Sequence, residues 1–281
     1  MNDFSNPKRL PAVSHSRRRT WAEITMIRGS LCLILLLSLL SVPPAHSAQT
    51  DSNARDNGGH LPNFGGIWVR QGSFLFDPAV RNPLDLKPPY KPDWMKAFDD
   101  YRKQVAETGV VKLDPTAGCL PPGMPRMMGV VYPMEILMTP GQVTIITEWM
   151  GQIRRVFTDG RPHPDDPDIT YVGHSIGHWE KGVLVIDTVA MKDDTLLDQS
   201  GMKHSADIHV IERMRLLDPQ TLENQLTLED PIAFTHPWTV TRTFKRAKPG
   251  EEIREFVCME NNRNPIKPDG SVGVILQGNG K

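Results

Sequence analysis

From Met134 onward, apolar and polar residues alternate in short runs divided by turn residues, and each run has the length of one strand. The runs are Met134 to Met138, Gln142 to Trp149, Ile153 to Thr158, His174 to Glu180, Val183 to Met191, Asp207 to Leu217, Leu222 to Glu229, Trp238 to Lys245 and Arg254 to Glu260. Pro140-Gly141, Gly151, Asp159-Gly160, Lys181-Gly182, Asp218-Pro219 and Pro249-Gly250 separate them, and these residue types suit the backbone angles of tight turns. One earlier strand is expected at Gly66 to Arg70. Strands so closely spaced, with scarcely any helix between them, predict an antiparallel meander. Closure removes its unpaired edges, so the expected fold is mainly β, an antiparallel up-and-down barrel of about 8–10 strands.

Upstream of the strands lies a single strong helical pattern. Trp94, Phe98, Tyr101 and Val105 recur at helical spacing, with Asp93 as the expected cap and Gly109 as the stop. Gly118 to Pro133 holds too much Pro and Gly for regular structure, while its methionines offer adaptable apolar surface. It is expected to lie over the core as a loop, with Arg126 and Tyr132 pointing into a pocket and Met127 in its wall.

Alternation within the strands sorts the polar residues by face. In the run Asp207 to Leu217, Glu212 shares its parity with Ile208, Val210, Met214 and Leu216, which places it inside the barrel, with His209 and Arg213 outside. In Val183 to Met191, Asp187 shares its parity with Val183, Val185, Val189 and Met191 and is expected inside as well. Two interior carboxylates either titrate as a coupled acid–base pair or are tied to an arginine such as Arg213 or Arg242. His174 and His178 fall on one face of their strand, with Ser175 and Trp179 on the other. With His204 they offer imidazoles for acid–base work or for a metal, but HExxH and CxxC spacings are absent and no metal is expected. His163, fixed between Pro162 and Pro164, suits a structural plug or a pocket rim.

The first residues read differently. Leu31 to Val42 is a largely apolar run without charge, too short to span a bilayer and of the right length for a signal-peptide core, with Arg28 before it and Ala45-His46-Ser47 as the processing site. Residues 1–47 are therefore expected to be a signal peptide with an extension whose true start is Met26, and 48–62 a polar tether. Residues 63–281 form the single barrel domain, and the protein is expected in the periplasm or secreted. Cys119 and Cys258 remain after processing, as one disulfide or as two free thiols. The net charge of −1, with no basic block beyond the leader, argues against nucleic acid and against anionic membrane surfaces once the signal is cleaved. Glycine-rich phosphate loops and GxSxG are missing, so neither a nucleotide cofactor nor serine hydrolase chemistry has support.

Two resemblances add to these readings. Gly66-Ile67-Trp68, opening the first strand, resembles the start of lipocalin-like (calycin) barrels, in which the tryptophan plugs the barrel floor. Arg155 to Pro164, Gly173-His-Ser-Ile-Gly-His-Trp-Glu180, Val185-Ile-Asp-Thr188, His204-Ser205 and Glu212-Arg213 together resemble a widespread family of exported, mostly uncharacterised bacterial proteins. That likeness runs from Asn63 to Asn262 and implies a calycin-like barrel without implying an activity. The expected function is a cofactor-independent enzyme of lyase or isomerase type, acting on a small apolar or aromatic compound in the catabolism of such compounds. His174 and His204 would serve as acid and base, Glu212 would orient an imidazole, and Arg126 and Tyr132 would steady an anionic intermediate. Trp68, Trp179, Met127, Asp187 and Arg242 would hold the substrate. The alternative is a lipocalin-like carrier whose polar cluster is purely structural.

Overall fold

The computed structural model describes residues 61–111, 114–261 and 274–275. The leader expected over residues 1–47 and nearly all of the tether lie outside them. In chain order the elements are β1 (Gly66–Arg70), α1 (Pro92–Thr108), β2 (Val110–Val111), β3 (Met134–Thr139), β4 (Gln142–Thr147), β5 (Ile153–Phe157), β6 (His174–Glu180), β7 (Val183–Val189), β8 (His209–Asp218), β9 (Thr221–Glu229), β10 (Trp238–Arg246) and β11 (Val274–Ile275). Nine of them close a barrel in the order β1-β10-β9-β8-β7-β6-β5-β4-β3, and β2 pairs with β11 apart from it.

The expected mainly β barrel is present, with one departure from strict alternation. Strand directions cannot alternate all the way round a ring with an odd number of members, so one neighbouring pair must run parallel. That pair is β5 and β6, with Val156 opposite Ser175 and Phe157 opposite Ile176. A parallel pair cannot be joined by a tight hairpin, and residues 158–173 supply the long return. The return is pinned to the chain just beyond β7: Thr170 N–H donates to Ala190 O (3.0 Å) and Lys192 N–H to Thr170 O (3.0 Å). Gly173 ends it at φ 67°, where a Cβ would stand 2.5 Å from Val189 O, so only glycine enters β6 here without displacing β7.

Two further expectations need correction. Helix α1 begins at Pro92, and Lys91 rather than Asp93 is its N-cap; proline's fixed φ suits the first helical position, and Asp93 lies in the first turn, where its charge favours the helix dipole. Gly109 closes the helix in the left-handed conformation, as expected. Phe98 and Tyr101 are its buried residues, and Phe98 packs edge-on against Tyr90 at 5.9 Å. The strand expected at Arg254 to Glu260 is not formed: residues 251–257 are irregular and Cys258–Asn261 is a 3-10 turn. Cys258 is joined to Cys119 (Cα to Cα 5.7 Å), which decides the cysteine question in favour of the disulfide.

Period-2 alternation fills the barrel. Trp68, Ile136, Ile145, Val156, Leu184, Ile186, Val210, Met214, Leu226 and Phe244 are all buried inward positions. Among them stand polar residues of the same parity, Arg70, Arg154, Ser175, Thr188, Glu212, Asn224 and Arg242, none more than 4% exposed. Burying such groups costs several kcal/mol unless they are paired, so their partners decide what the interior can do.

Candidate functional site

Three separate polar assemblies hold most of the polar residues singled out in the sequence. The first is the network at the centre of the barrel. Glu212, on β8, accepts from Arg154 Nη2 with one oxygen and from Asn224 Nδ2 with the other (2.8 Å). The same Arg154 donates to Thr188 Oγ1 (2.8 Å) and through Nε to Ser175 Oγ (3.1 Å), and the two hydroxyls are 2.9 Å apart. Glu212 is therefore inside, as its parity predicts. Its arginine is Arg154, whereas Arg213 lies outside and binds Glu180 (2.9 Å) and Arg242 belongs to a different group. Both carboxylate oxygens of Glu212 are engaged within the wall, so it orients no imidazole.

The second assembly lies on the outer surface of the sheet. Asp187 is here and not inside: the inward residues of β7 are Leu184, Ile186 and Thr188, and the Asp187 side chain is 40% exposed. Parity misleads in β7 because Val183, Leu184, Val185 and Ile186 are apolar without interruption. The expected Asp187–Glu212 pair is thus divided by the barrel wall. Asp187 Oδ1 instead receives His209 Nε2 (2.8 Å) and His163 Nε2 (3.1 Å), while His209 Nδ1 faces Glu229 (3.3 Å) and His163 Nδ1 meets His174 Nδ1 (2.7 Å). The result is a chain, Glu229–His209–Asp187–His163–His174, running from β9 to β6 through the return that joins β5 to β6. His209 has a carboxylate at each nitrogen and can satisfy both only as an imidazolium. The His163–His174 bond needs one donor and one acceptor, so those rings cannot both be protonated while it lasts. His178, on the same face, binds Glu180 (2.9 Å).

These contacts set a pH dependence. The hydrogen bonds to Asp187 raise the pKa of His209, and the bonds from His209 hold Asp187 below its usual range. A raised histidine stabilises the fold fully below its unfolded pKa of about 6.5 and loses that contribution as pH rises through the folded value. Asp187 contributes above about pH 4 and is lost as pH falls through its lowered value. Both act together between these limits, so His209→Ala should lower the melting temperature more at pH 6 than at pH 9. Thermal scans of wild type and variant at the two pH values measure this; an equal loss at both would show that His209 is not charged through Asp187.

His204 belongs to neither assembly. It is 2% exposed, its Nδ1 donates to Ser205 O (2.8 Å) and its Nε2 lies 2.9 Å from Thr195 Oγ1. Burial pushes its pKa down, so the neutral ring fits this loop as a structural link. His174, on the outer surface, and His204, bonded within the loop that precedes β8, share no partner. The expected convergence of His174, His204 and Glu212 is therefore not formed.

The third assembly surrounds a cavity of about 150 Å³ lined by Phe74, Arg126, Gly129, Val130, Val131, Tyr132, Trp149, Leu197, Asp198, Gln199 and Arg242. Arg126 is held by a two-bonded contact with Asp114 (2.8 Å each) and lies over the Trp149 ring at 5.2 Å. Burial drives the Asp114 carboxyl up, but the hydrogen bonds and charge of Arg126 outweigh it and hold it below its usual value. Tyr132 stacks on Trp149 with rings 6.1 Å apart and 10° from parallel, and Phe256 meets Tyr132 edge-on at 5.5 Å. Asp198, 3% exposed, is consumed locally by Phe76 N–H (2.6 Å) and Ser200 N–H (2.7 Å).

Arg126, Tyr132 and Arg242 are thus brought together as pocket residues. Trp68, Trp179 and Met127 are not among the lining residues. Trp68 Nε1 donates to Phe64 O (2.8 Å), Trp179 packs on the Phe64 ring (5.2 Å), and Met127, 1% exposed, belongs to the core. Asp198 and Phe74 lie in connections without periodicity, and Trp149, expected at the end of a strand, lies in the 3-10 turn after β4, so alternation marks none of the three as a pocket residue. Arg154 and Arg70 share the parity of Val156 and Trp68, which places them inward.

Among the described residues no group of three or more His, Cys, Asp or Glu is arranged to hold a metal ion, and no helix is long and apolar enough to cross a membrane. No protein-family model matches the chain, and no curated protein does.

Proposed function

We propose that the protein is an exported barrel that binds a small aromatic compound in the cavity between Tyr132, Trp149, Phe74 and Arg242. The supporting observation is the lining: one concave site combines aromatic and aliphatic walls with a few convergent polar groups, the usual make-up of a small-molecule pocket. Its volume suits a single ring, since an engineered cavity of about 150 Å³ accepts benzene. The Cys119–Cys258 bond and the signal-like leader sequence support a periplasmic or secreted location. The resemblance to exported barrel proteins agrees with this setting.

The carrier reading is favoured over the lyase or isomerase because the residues chosen for acid–base work lie on different faces and in different networks. Chemistry has one foothold, the proton-sharing His163–His174 pair beside Asp187, and it is on the outer surface.

Isothermal titration with a panel of single-ring compounds (benzyl alcohol, benzaldehyde, benzoate) tests the reading. Saturable binding by at least one compound is expected, with quenching of tryptophan fluorescence, and Trp149→Ala should weaken it about tenfold through the lost ring contact. Absence of heat and of quenching for the whole panel at millimolar concentration would refute it.

A further inference from the structure

Arg242 is the least satisfied charge in the cavity wall. It is 1% exposed, no carboxylate lies within ion-pair distance of it among the described residues, and its Nε has no hydrogen-bond partner. Its terminal nitrogens reach only two backbone carbonyls, Phe76 O at 3.3 Å and Pro125 O at 3.5 Å, both long for such bonds. Its guanidinium also lies over the Phe76 ring at 4.9 Å. Arg70, 4% exposed, is in a similar position: it donates to Gly129 O and Leu75 O, and its own Nε is unpartnered. Gly129 separates the two, with its absent Cβ position only 3.0 Å from Arg242 Nη1.

The carboxylates nearby are engaged elsewhere and none bonds to either guanidinium among the described residues. Asp114 is committed to Arg126, Glu212 to Arg154, and Asp198 to the backbone N–H of Phe76 and to Ser200; Asp77 Oδ1 accepts from Ala79 N–H. Asp198 and Asp77 act on Arg242 only across a distance, so among the described residues neither Arg70 nor Arg242 is bonded directly to a carboxylate. Burial accordingly pulls the pKa of Arg242 down to about 9, with Arg70 adding repulsion, and that of Arg70 to about 10. A buried cation kept in this state is costly for the fold, and an anion in the adjoining cavity would relieve it.

We infer that the ligand is a single-ring aromatic carboxylate, its ring against Tyr132, Trp149 and Phe74 and its carboxylate received by Arg242. This rests on the cavity reading above and narrows it. Guanidinium groups match carboxylates in shape as well as in charge, and a bond formed away from water is stronger than at the surface.

Titration of the purified protein with benzoate, benzyl alcohol and acetate separates the parts of the inference. Benzoate should bind at least tenfold more tightly than benzyl alcohol, and acetate should bind much more weakly than either. In Arg242→Met the benzoate affinity should fall to that of benzyl alcohol, while Arg242→Lys keeps part of the preference. Methionine fills similar volume without a buried charge, a change that is often neutral or stabilising; should that variant fail to fold, the wild-type comparison alone decides. Equal affinity for benzoate and benzyl alcohol would overturn the carboxylate while leaving the cavity reading intact. Acetate binding as tightly as benzoate would overturn the aromatic part, and no binding by either aromatic would overturn both readings.

Discussion

Glu212→Ala should be the most damaging single substitution in the barrel interior, costing about 3–5 kcal/mol. The reason is what it leaves behind. Arg154, 1% exposed, would keep its charge with only the hydroxyls of Ser175 and Thr188 to solvate it, and Asn224 Nδ2 would lose its acceptor. Arg154 Nη1 already lacks a partner, and Asn224 Oδ1, an unused acceptor, takes no bond from it, so no second carboxylate stands ready to replace Glu212. For a domain of this size the loss corresponds to a fall in melting temperature of roughly 6–20 °C. Replacing both partners, as Arg154→Met with Glu212→Leu, removes the charges together and should recover most of the loss, because a buried ion pair contributes little beyond well-packed apolar residues. Chemical denaturation of Arg154→Met, Glu212→Leu and the double forms a cycle that measures the coupling. A loss below about 1 kcal/mol in Glu212→Ala would show that water reaches Arg154 and that the interior is not dry there.

Strands were legible because their turns carry Gly, Pro and Asp and because one face of each is apolar. Glu212 was legible because it interrupts the even-numbered face of β8, and Arg70, Arg154 and Arg242 obey the same rule against Trp68, Val156 and Val240. Asp187 was not, because β7 is apolar on both faces and gives no parity to read. Alternation also says nothing about which strands become neighbours, so the parallel pairing of β5 with β6 could not be foreseen, nor could the meeting of His163 with His174 that depends on it. Arg254 to Glu260 shows the converse: a strand-like run forms no strand when no barrel edge remains to pair with it. The cavity mixes both cases, since Arg242 comes from a strand while Asp198 and Trp149 come from connections whose course is set by tertiary contacts.

Opening the Cys119–Cys258 disulfide should have the second largest effect, and it should reach the cavity as well as the fold. The two cysteines are 139 residues apart in sequence, so the bond restricts a long loop of the unfolded chain. Such restriction is typically worth about 2–4 kcal/mol, or roughly 4–16 °C in melting temperature for a domain of this size. In the folded protein the bond holds residues 251–261, which form no barrel strand, against the loop that carries Asp114, Arg126 and Tyr132. That segment is also tied to the barrel by Arg254 N–H to Glu148 Oε2 (3.0 Å), and it supplies Phe256 edge-on to the Tyr132 ring. Without the bond, Phe256 can leave, Tyr132 loses the contact that steadies its stack on Trp149, and the aromatic wall loosens. Urea titrations of wild type and Cys119→Ser/Cys258→Ser should give the stability loss, and benzoate titration under native conditions should give a weaker affinity in the variant. If stability falls while affinity does not, the bond acts on the unfolded chain alone and Tyr132 is held by Trp149 without help from Phe256. If both fall together, the C-terminal segment is part of the binding site, and the reducing state of the compartment would set ligand affinity as well as survival of the fold.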